Sequence, residues 1–269
     1  MIVYPFSFIK TVGSSLDPDA AAFLTAIGNT SPTIESAINT MVVDLKSYGL
    51  WTKLKVIYPF VGGTATSNKY NLKDPRDLDA AFRLTYYGGI THTDGFRPNG
   101  TNGYADSFYK PASNATFNDE HITIYLNTNN AMSKGDTVDI GVLPSVGGLA
   151  YSSLVGIRTS NYVARFNLGV DSVSHSTVKG FYVITKGAAN SPKYYKNGTL
   201  DLNGSSGGSG IATENIYVGT LNLNGSPYSD GYSNQNFCFV SAGTNLTSTD
   251  ASNLYSVVQA CQTTLGRQN

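Results

Sequence analysis

FYVITKGAANSPKYYKNGTLDL, residues 181–202, reads as short strands cut by turn residues. FYVITKG (181–187) and KYYKNG (193–198) are rich in the aromatic and β-branched side chains that fit a pleated, half-buried surface. Asn197-Gly198 after Lys193-Tyr194-Tyr195 predicts a hairpin, because a type I′ turn needs positive φ at both central positions. LNGSSGGSG (202–210) then reads as a flexible surface loop between paired strands. The same grammar recurs in LKVIYPF (54–60), HITIYLN (121–127), VDIGVL (138–143), YVARFNL (162–168), IYVGTLN (216–222) and NFCFVSAG (236–243). No repeat of fixed period joins these runs, so the expected fold is mostly β, an antiparallel two-sheet sandwich.

Helical spacing appears only at the two ends. From Pro18, Ala20, Phe23, Leu24 and Ile27 fall on one face and Gly28 ends the run. Ser31 is placed as an N-cap with Pro32 at the first helical position, Ile34, Ile38, Met41, Val42 and Leu45 make an apolar stripe, and Gly49 supplies the stop. Near the C-terminus Thr247 and Asp250 have capping-box spacing ahead of Leu254, Val257, Val258, Cys261 and Leu265. These helices are expected to pack on the sandwich, giving one domain over residues 17–269. Residues 1–16, MIVYPFSFIKTVGSSL, share none of this periodicity and read as an arm, either a first strand or a docking peptide that adds to another protein's sheet.

Of the 269 residues, 41% are hydrophobic and only 13% charged, about half the usual share, so the surface must be polar but uncharged. Eighteen basic residues balance eighteen acidic ones, which leaves no field to hold a phosphate backbone; nucleic acid is not an expected partner. No apolar run reaches the roughly 20 residues that span a bilayer, and the start lacks a basic leader and is broken by Pro5, so neither insertion nor export is expected. Cys238 and Cys261 are too few and too isolated for a disulfide framework or a zinc site and are expected as buried free thiols.

The ordered string AINTMVVDLKSYGLWTKLKVIYPFVGG (37–63), NLKDPRDLDAAFRLTYYGGITHTDG (71–95) and PNGTNGYADS (98–107) resembles a module of tailed-phage structural proteins, tail-fibre and virion-appendage proteins above all. KYYKNGTLDL (193–202), IYVGTLNLNG (216–225) and the segment 236–267 resemble the final strands and closing helix of laminin-G-like, concanavalin A-like jelly rolls. The resemblance covers residues 17–269. It implies a jelly roll with a short helical prefix and a C-terminal helix, made in the bacterial host cytoplasm and located in the virion. It also implies homo-oligomers, trimers being common among appendages, and makes the arm an anchor to other virion proteins through Ile2, Val3, Tyr4, Pro5, Phe6, Phe8 and Ile9.

Concanavalin-type sandwiches include glycoside hydrolases, which need two carboxyl groups about 5 Å apart, or about 6.5–9.5 Å for inversion. Glu35, Glu120 and Glu214 do not form the Glu-x-Asp-x-x-Glu strand pattern of those enzymes, and Asp119 and Glu120 point to opposite faces if extended. Asp74, Asp77 and Asp79 read as a solvated turn in which Asp77 or Asp79 caps the next segment. His92, His121 and His175 are not spaced as a metal pair, and neither a Gly-x-Ser-x-Gly elbow nor a phosphate loop occurs. No catalytic residue is assigned and no enzyme is expected. No cofactor is assigned either; from the laminin-G resemblance, calcium is the one candidate, at Asp94, Asn99, Asn102 and Asp106 or at Asp230 and Asn234. The sequons at Asn114 and Asn245 are read as coincidental.

A sugar site needs an aromatic platform beside amides or carboxylates, since one face of a sugar ring is apolar and its edge hydroxylated. GSPYSDGYSNQN (225–236) supplies Tyr228, Asp230, Tyr232 and Asn234, and HTDGFRPNGTN (92–102) supplies Phe96, Arg97 and Asn99. The alternative is that these tyrosines lie against the sandwich edge or a neighbouring subunit. The leading expectation is a phage virion protein, a fibre-like tail appendage or head decoration, presenting loops to host surface glycans. Its rivals are a glycan-cleaving enzyme on the same fold and a purely architectural subunit.

Overall fold

The computed structural model describes residues 15–131, 137–143, 153–157, 162–166, 171–173, 175–188, 191–205 and 211–269, with the backbone alone for 153–157, 162–166 and 171–172. The proposed anchor residues Ile2 to Ile9 lie outside the described residues, as does most of the Gly/Ser loop. In chain order the elements are α1 (Pro18–Ala26), α2 (Pro32–Ser47), β1 (Leu54–Tyr58), α3 (Ala65–Asn68), β2 (Thr85–Tyr87), β3 (Ile90–Thr91), β4 (Arg97–Pro98), β5 (Tyr104–Asp106), α4 (Pro111–Asn114), β6 (Glu120–Leu126), β7 (Ile140–Leu143), β8 (Ser153–Ile157), β9 (Tyr162–Phe166), β10 (Asp171–Val173), β11 (Gly180–Lys186), β12 (Pro192–Lys196), β13 (Thr199–Asn203), β14 (Tyr217–Val218), β15 (Leu221–Leu223), β16 (Ser226–Pro227), β17 (Phe237–Gly243) and α5 (Ser248–Thr264).

The fold is mostly β, an antiparallel sandwich with short N-terminal helices and a C-terminal helix. A six-stranded sheet runs β1-β17-β6-β11-β12-β13, and a nine-stranded sheet runs β10-β9-β8-β7-β14-β5-β2 with β15 and β16 attached beside β7. The pairs in both are antiparallel except β7 with β15. The hairpin legible in sequence closes β12 onto β13, with Lys196 opposite Thr199 and with φ of 49° at Asn197 and 75° at Gly198. Those two left-handed residues are the type I′ signature.

Alternation along each strand of the six-stranded sheet feeds two cores. Ile122, Ile124 and Leu126 of β6, Tyr182 and Ile184 of β11, and Val240 and Ala242 of β17 face the other sheet and meet Ala105, Ile140, Val142 and Val218. Tyr125, Phe181, Val183 and Phe239 point the opposite way, into a second core closed by Phe23, Ile38, Met41 and Leu45 of the N-terminal helices and Leu254, Val257 and Val258 of α5. A bulge between Phe237 and Phe239 turns the neighbouring Cys238 and Phe239 to the same helical side, which simple alternation forbids. Being covered on both faces, this sheet reads in sequence as nearly continuous apolar runs.

The helix ends are built as their sequences specify. The Ser31 hydroxyl accepts from the Ile34 N–H at 3.4 Å, and Thr247 and Asp250 form a reciprocal box, Thr247 N–H donating to Asp250 at 2.8 Å and Asp250 N–H to Thr247 at 3.2 Å. Both cysteines are free and buried, and burial pushes their thiols up, Cys238 to about 11 and Cys261 to about 12. The expected aspartate cap is corrected: the 3₁₀ turn Asp79–Ala81 has Leu78 at its N-cap with no side-chain bond, and Asp77 and Asp79 instead hold Arg83. Among the described residues, no helix is long and apolar enough to cross a membrane.

Candidate functional site

The outer face of the nine-stranded sheet carries a row of tyrosines. On β5, Ala105 enters the inter-sheet core, so Tyr104 and Asp106 face outward; on β14, Ile216 and Val218 go in and Tyr217 comes out. On the edge strand β2, Tyr86 packs against the core and Tyr87 is turned out, directly opposite Tyr104. Tyr87 and Tyr104 stack with centroids 4.9 Å apart and an angle of 13°, Tyr217 lies 5.0 Å beyond, and Tyr232 adjoins Tyr104 at 6.3 Å. Tyr87 is the solvent end of the row, 44% exposed, whereas Tyr217 is 7% exposed.

Backbone crowding fixes this row. A Cβ at Gly88, whose φ is +70°, would come 2.0 Å from the Asn102 carbonyl oxygen, and one at Gly103 would come 2.2 Å from the Gly89 carbonyl oxygen. Only glycine lets the chain after Tyr87 lie this close to the chain before Tyr104. Burial, aided by the neighbouring phenols, raises Tyr104 to about 12, and burial likewise raises Tyr217, so both stay neutral hydroxyls at physiological pH. Asp106, two residues along β5 from Tyr104, accepts from the Phe108 N–H at 2.8 Å and the Asn215 amide at 3.1 Å. Burial raises its carboxyl above the usual carboxylate value.

The two loops singled out in sequence do come together. Phe96 and Phe237 exchange backbone hydrogen bonds at 2.9 Å, Gly100 N–H donates to the Ser233 carbonyl at 3.0 Å, and the Asn236 amide donates to the Asp94 carbonyl at 3.2 Å. The residues nominated on them have separate fates. Tyr232 joins the row, though only 8% exposed. Tyr228 is half-buried and Asp230 exposed on the loop after β16. Asn234 uses its amide nitrogen on the Ala131 carbonyl and accepts from Gln235.

Phe96 and Asn99 are corrections. Phe96 is fully buried among Phe60, Tyr86 and Phe237, so it offers no face to a sugar. The Asn99 oxygen accepts from the N–H groups of Thr101, Asn102 and Gly103, and its nitrogen donates to Asn102; it is a staple of the loop. The first of the two calcium sets, Asp94, Asn99, Asn102 and Asp106, fails for related reasons. Asp106 lies in a strand rather than the loop, and the Asn99 and Asn102 oxygens are engaged by N–H donors, which a cation cannot share. Among the described residues no group of three or more His, Cys, Asp or Glu side chains gathers.

Arg97 and Asp94 face a different space, an open cleft of about 780 Å³ at one end of the sandwich. Thr91, Thr93, Asn127, Thr128, Asn236 and the glycines 62 and 63 also line it. Arg267 seals its base by donating to five acceptors, the Pro59, Phe60, Asp94 and Cys238 carbonyls and the Gln262 side chain.

No protein-family model matches the sequence, and no curated protein matches it. Among solved structures, the fold is similar to Trypanosoma rangeli sialidase in complex with 2,3-difluorosialic acid, at 14% identity and a TM-score of 0.55 over 82% of this chain and 38% of that one. It is also similar to a Trypanosoma rangeli sialidase mutant displaying trans-sialidase activity, at 11% identity and 0.53 over 82% of this chain and 39% of that one. A third similar structure is the binding domain of Paraclostridial Mosquitocidal Protein 1, at 13% identity and 0.50 over 76% of this chain and 52% of that one. The chain thus spans from about two fifths to about half the length of these chains, and the likeness is one of fold, in keeping with a concanavalin-like sandwich.

Proposed function

We propose that this sandwich is a non-catalytic carbohydrate-binding module of a phage virion, a tail-fibre-like appendage or a head decoration, attached to other virion proteins through residues 1–16. The observation that carries the binding role is the stack of Tyr87 on Tyr104, with Tyr87 44% exposed at the sheet edge and burial keeping the Tyr104 and Tyr217 phenols neutral. An exposed ring of this kind takes the apolar face of a sugar, and the phenol hydroxyls beside it suit its hydroxylated edge. The virion assignment draws on the sequence resemblance of residues 37–107 to tailed-phage structural proteins.

A glycan array probed with the wild-type protein and Tyr87→Ala tests the binding role. Reproducible binding to a set of oligosaccharides, lost in Tyr87→Ala while the fold is retained, is expected; an empty array, or one indifferent to Tyr87, would leave the purely architectural reading. Incorporation into particles by the full chain, lost on deletion of residues 1–16, tests the anchor, and unchanged incorporation would refute it.

A further inference from the structure

We infer that the end cleft around Arg97 is a second site, separate from the tyrosine row, that takes the carboxylate of an acidic saccharide. Its volume of about 780 Å³ is that of a small-ligand site, roughly 300–1,000 Å³, and its walls combine hydroxyls and amides with the apolar side chains of Ile34, Phe60, Val61 and Leu265. Thr91, Thr93 and Thr128 supply hydroxyls, and Asn127 and Asn236 supply amides.

Two guanidinium groups reach this cleft, and they are in opposite states. Arg267 spends all five N–H donors on protein acceptors and serves as the floor. Arg97 is exposed, and among the described residues its guanidinium has neither an ion pair nor a hydrogen bond. Its backbone is held by pairing with Thr91 in the β3–β4 hairpin, so the root of the side chain is fixed while its planar fork remains available. A fork of that shape matches a carboxylate with two parallel hydrogen bonds.

Asp94 lines the same cleft, and its carboxylate likewise has no ion pair among the described residues. A carboxylate accepts from two neighbouring hydroxyls, the pattern a sugar ring presents along its edge. One available cation and one acceptor-only group, with hydroxyls and amides around them, therefore select a ligand with a single acid and adjacent hydroxyls. A uronic acid residue has that chemistry. A strongly anionic polymer does not, because Asp94 would repel it.

Isothermal titration with three probes tests this site: a uronic-acid-containing tetrasaccharide, the same tetrasaccharide with its carboxyl groups reduced to alcohols, and a neutral-backbone tetrasaccharide bearing one sulfate. The uronate form is expected to bind at least about tenfold more tightly than the reduced form, the worth of one charge-assisted contact. Arg97→Gln is expected to erase that difference, and Thr93→Asp, which adds a repelling charge at an exposed wall position, is expected to do the same. Tyr87→Ala is expected to leave the difference intact, which separates this site from the tyrosine row. Equal binding of the uronate and reduced forms, persistence of the preference in both Arg97→Gln and Thr93→Asp, or its loss in Tyr87→Ala would overturn the inference. Binding of the sulfated probe in preference to the uronate would overturn the carboxylate assignment.

Discussion

The two sheets share one core but differ on their other faces. The six-stranded sheet turns Tyr125, Phe181, Val183 and Phe239 into a second core under α1, α2 and α5, so its central strands are packed on both faces. The nine-stranded sheet turns Tyr87, Tyr104 and Tyr217 away from the shared core in a stacked row that runs from buried Tyr217 to exposed Tyr87 at the sheet edge. The same residue type thus has two uses. Where helices cover the sheet, an aromatic ring is core; at the open edge, Tyr87 is left as an exposed ring, the feature on which the proposed binding role rests.

Substitutions should divide the same way. Phe181 is fully buried and packed against Phe239 and Tyr255, so Phe181→Ala is expected to cost about 3–5 kcal/mol, read from denaturant unfolding. A loss below about 1 kcal/mol would mean that the helices do not cover that face in solution.

Acid should act on the same sheet. His121 on β6 is buried against the Thr244 carbonyl, and burial lowers it from 6.5 to about 4. Between those values the unfolded chain binds a proton that the folded chain refuses, so stability falls as pH drops from 6.5 towards 4, by about 3 kcal/mol in all. Unfolding followed across this range in wild type and His121→Gln checks the sign: the wild-type loss should exceed that of the variant. Equal slopes would place His121 in contact with water.

Tyr87→Ala is the smallest change in stability and the largest in binding. It forfeits one stacked pair at an exposed edge, worth about 1 kcal/mol, and removes the only well-exposed ring of the row. A stability loss comparable to that of Phe181→Ala would make the row a structural element and erase the contrast between the sheets.

The sequence shows this contrast unevenly. Long strands were legible because four or five apolar residues in a short run must be buried somewhere, and HITIYLN, FYVITKG and NFCFVSAG correspond to β6, β11 and β17. The helices were legible from their caps, Ser31 with Pro32 and Thr247 with Asp250. The tyrosine row was not, because β2, β5 and β14 are two or three residues long and too short to display a period. The faint signal was local: in TYY, YAD and IYV one tyrosine alternates with a core residue, but the partners that align them come from distant parts of the chain. Loop chemistry also misled. Phe96 sits between Gly95 and Arg97 like an exposed loop residue, yet its backbone pairs with Phe237 and draws the ring into the core.

The most direct measurement is a titration of protein carrying ring-¹³C-labelled tyrosine with the best oligosaccharide from the array, followed by aromatic NMR. Shifts concentrated on Tyr87, with smaller ones at Tyr104, and silence from the buried Tyr58, Tyr125, Tyr182, Tyr194 and Tyr195, are the expected result. Binding that leaves Tyr87 unmoved would contradict the claim that the exposed edge of the nine-stranded sheet is where this protein meets a sugar.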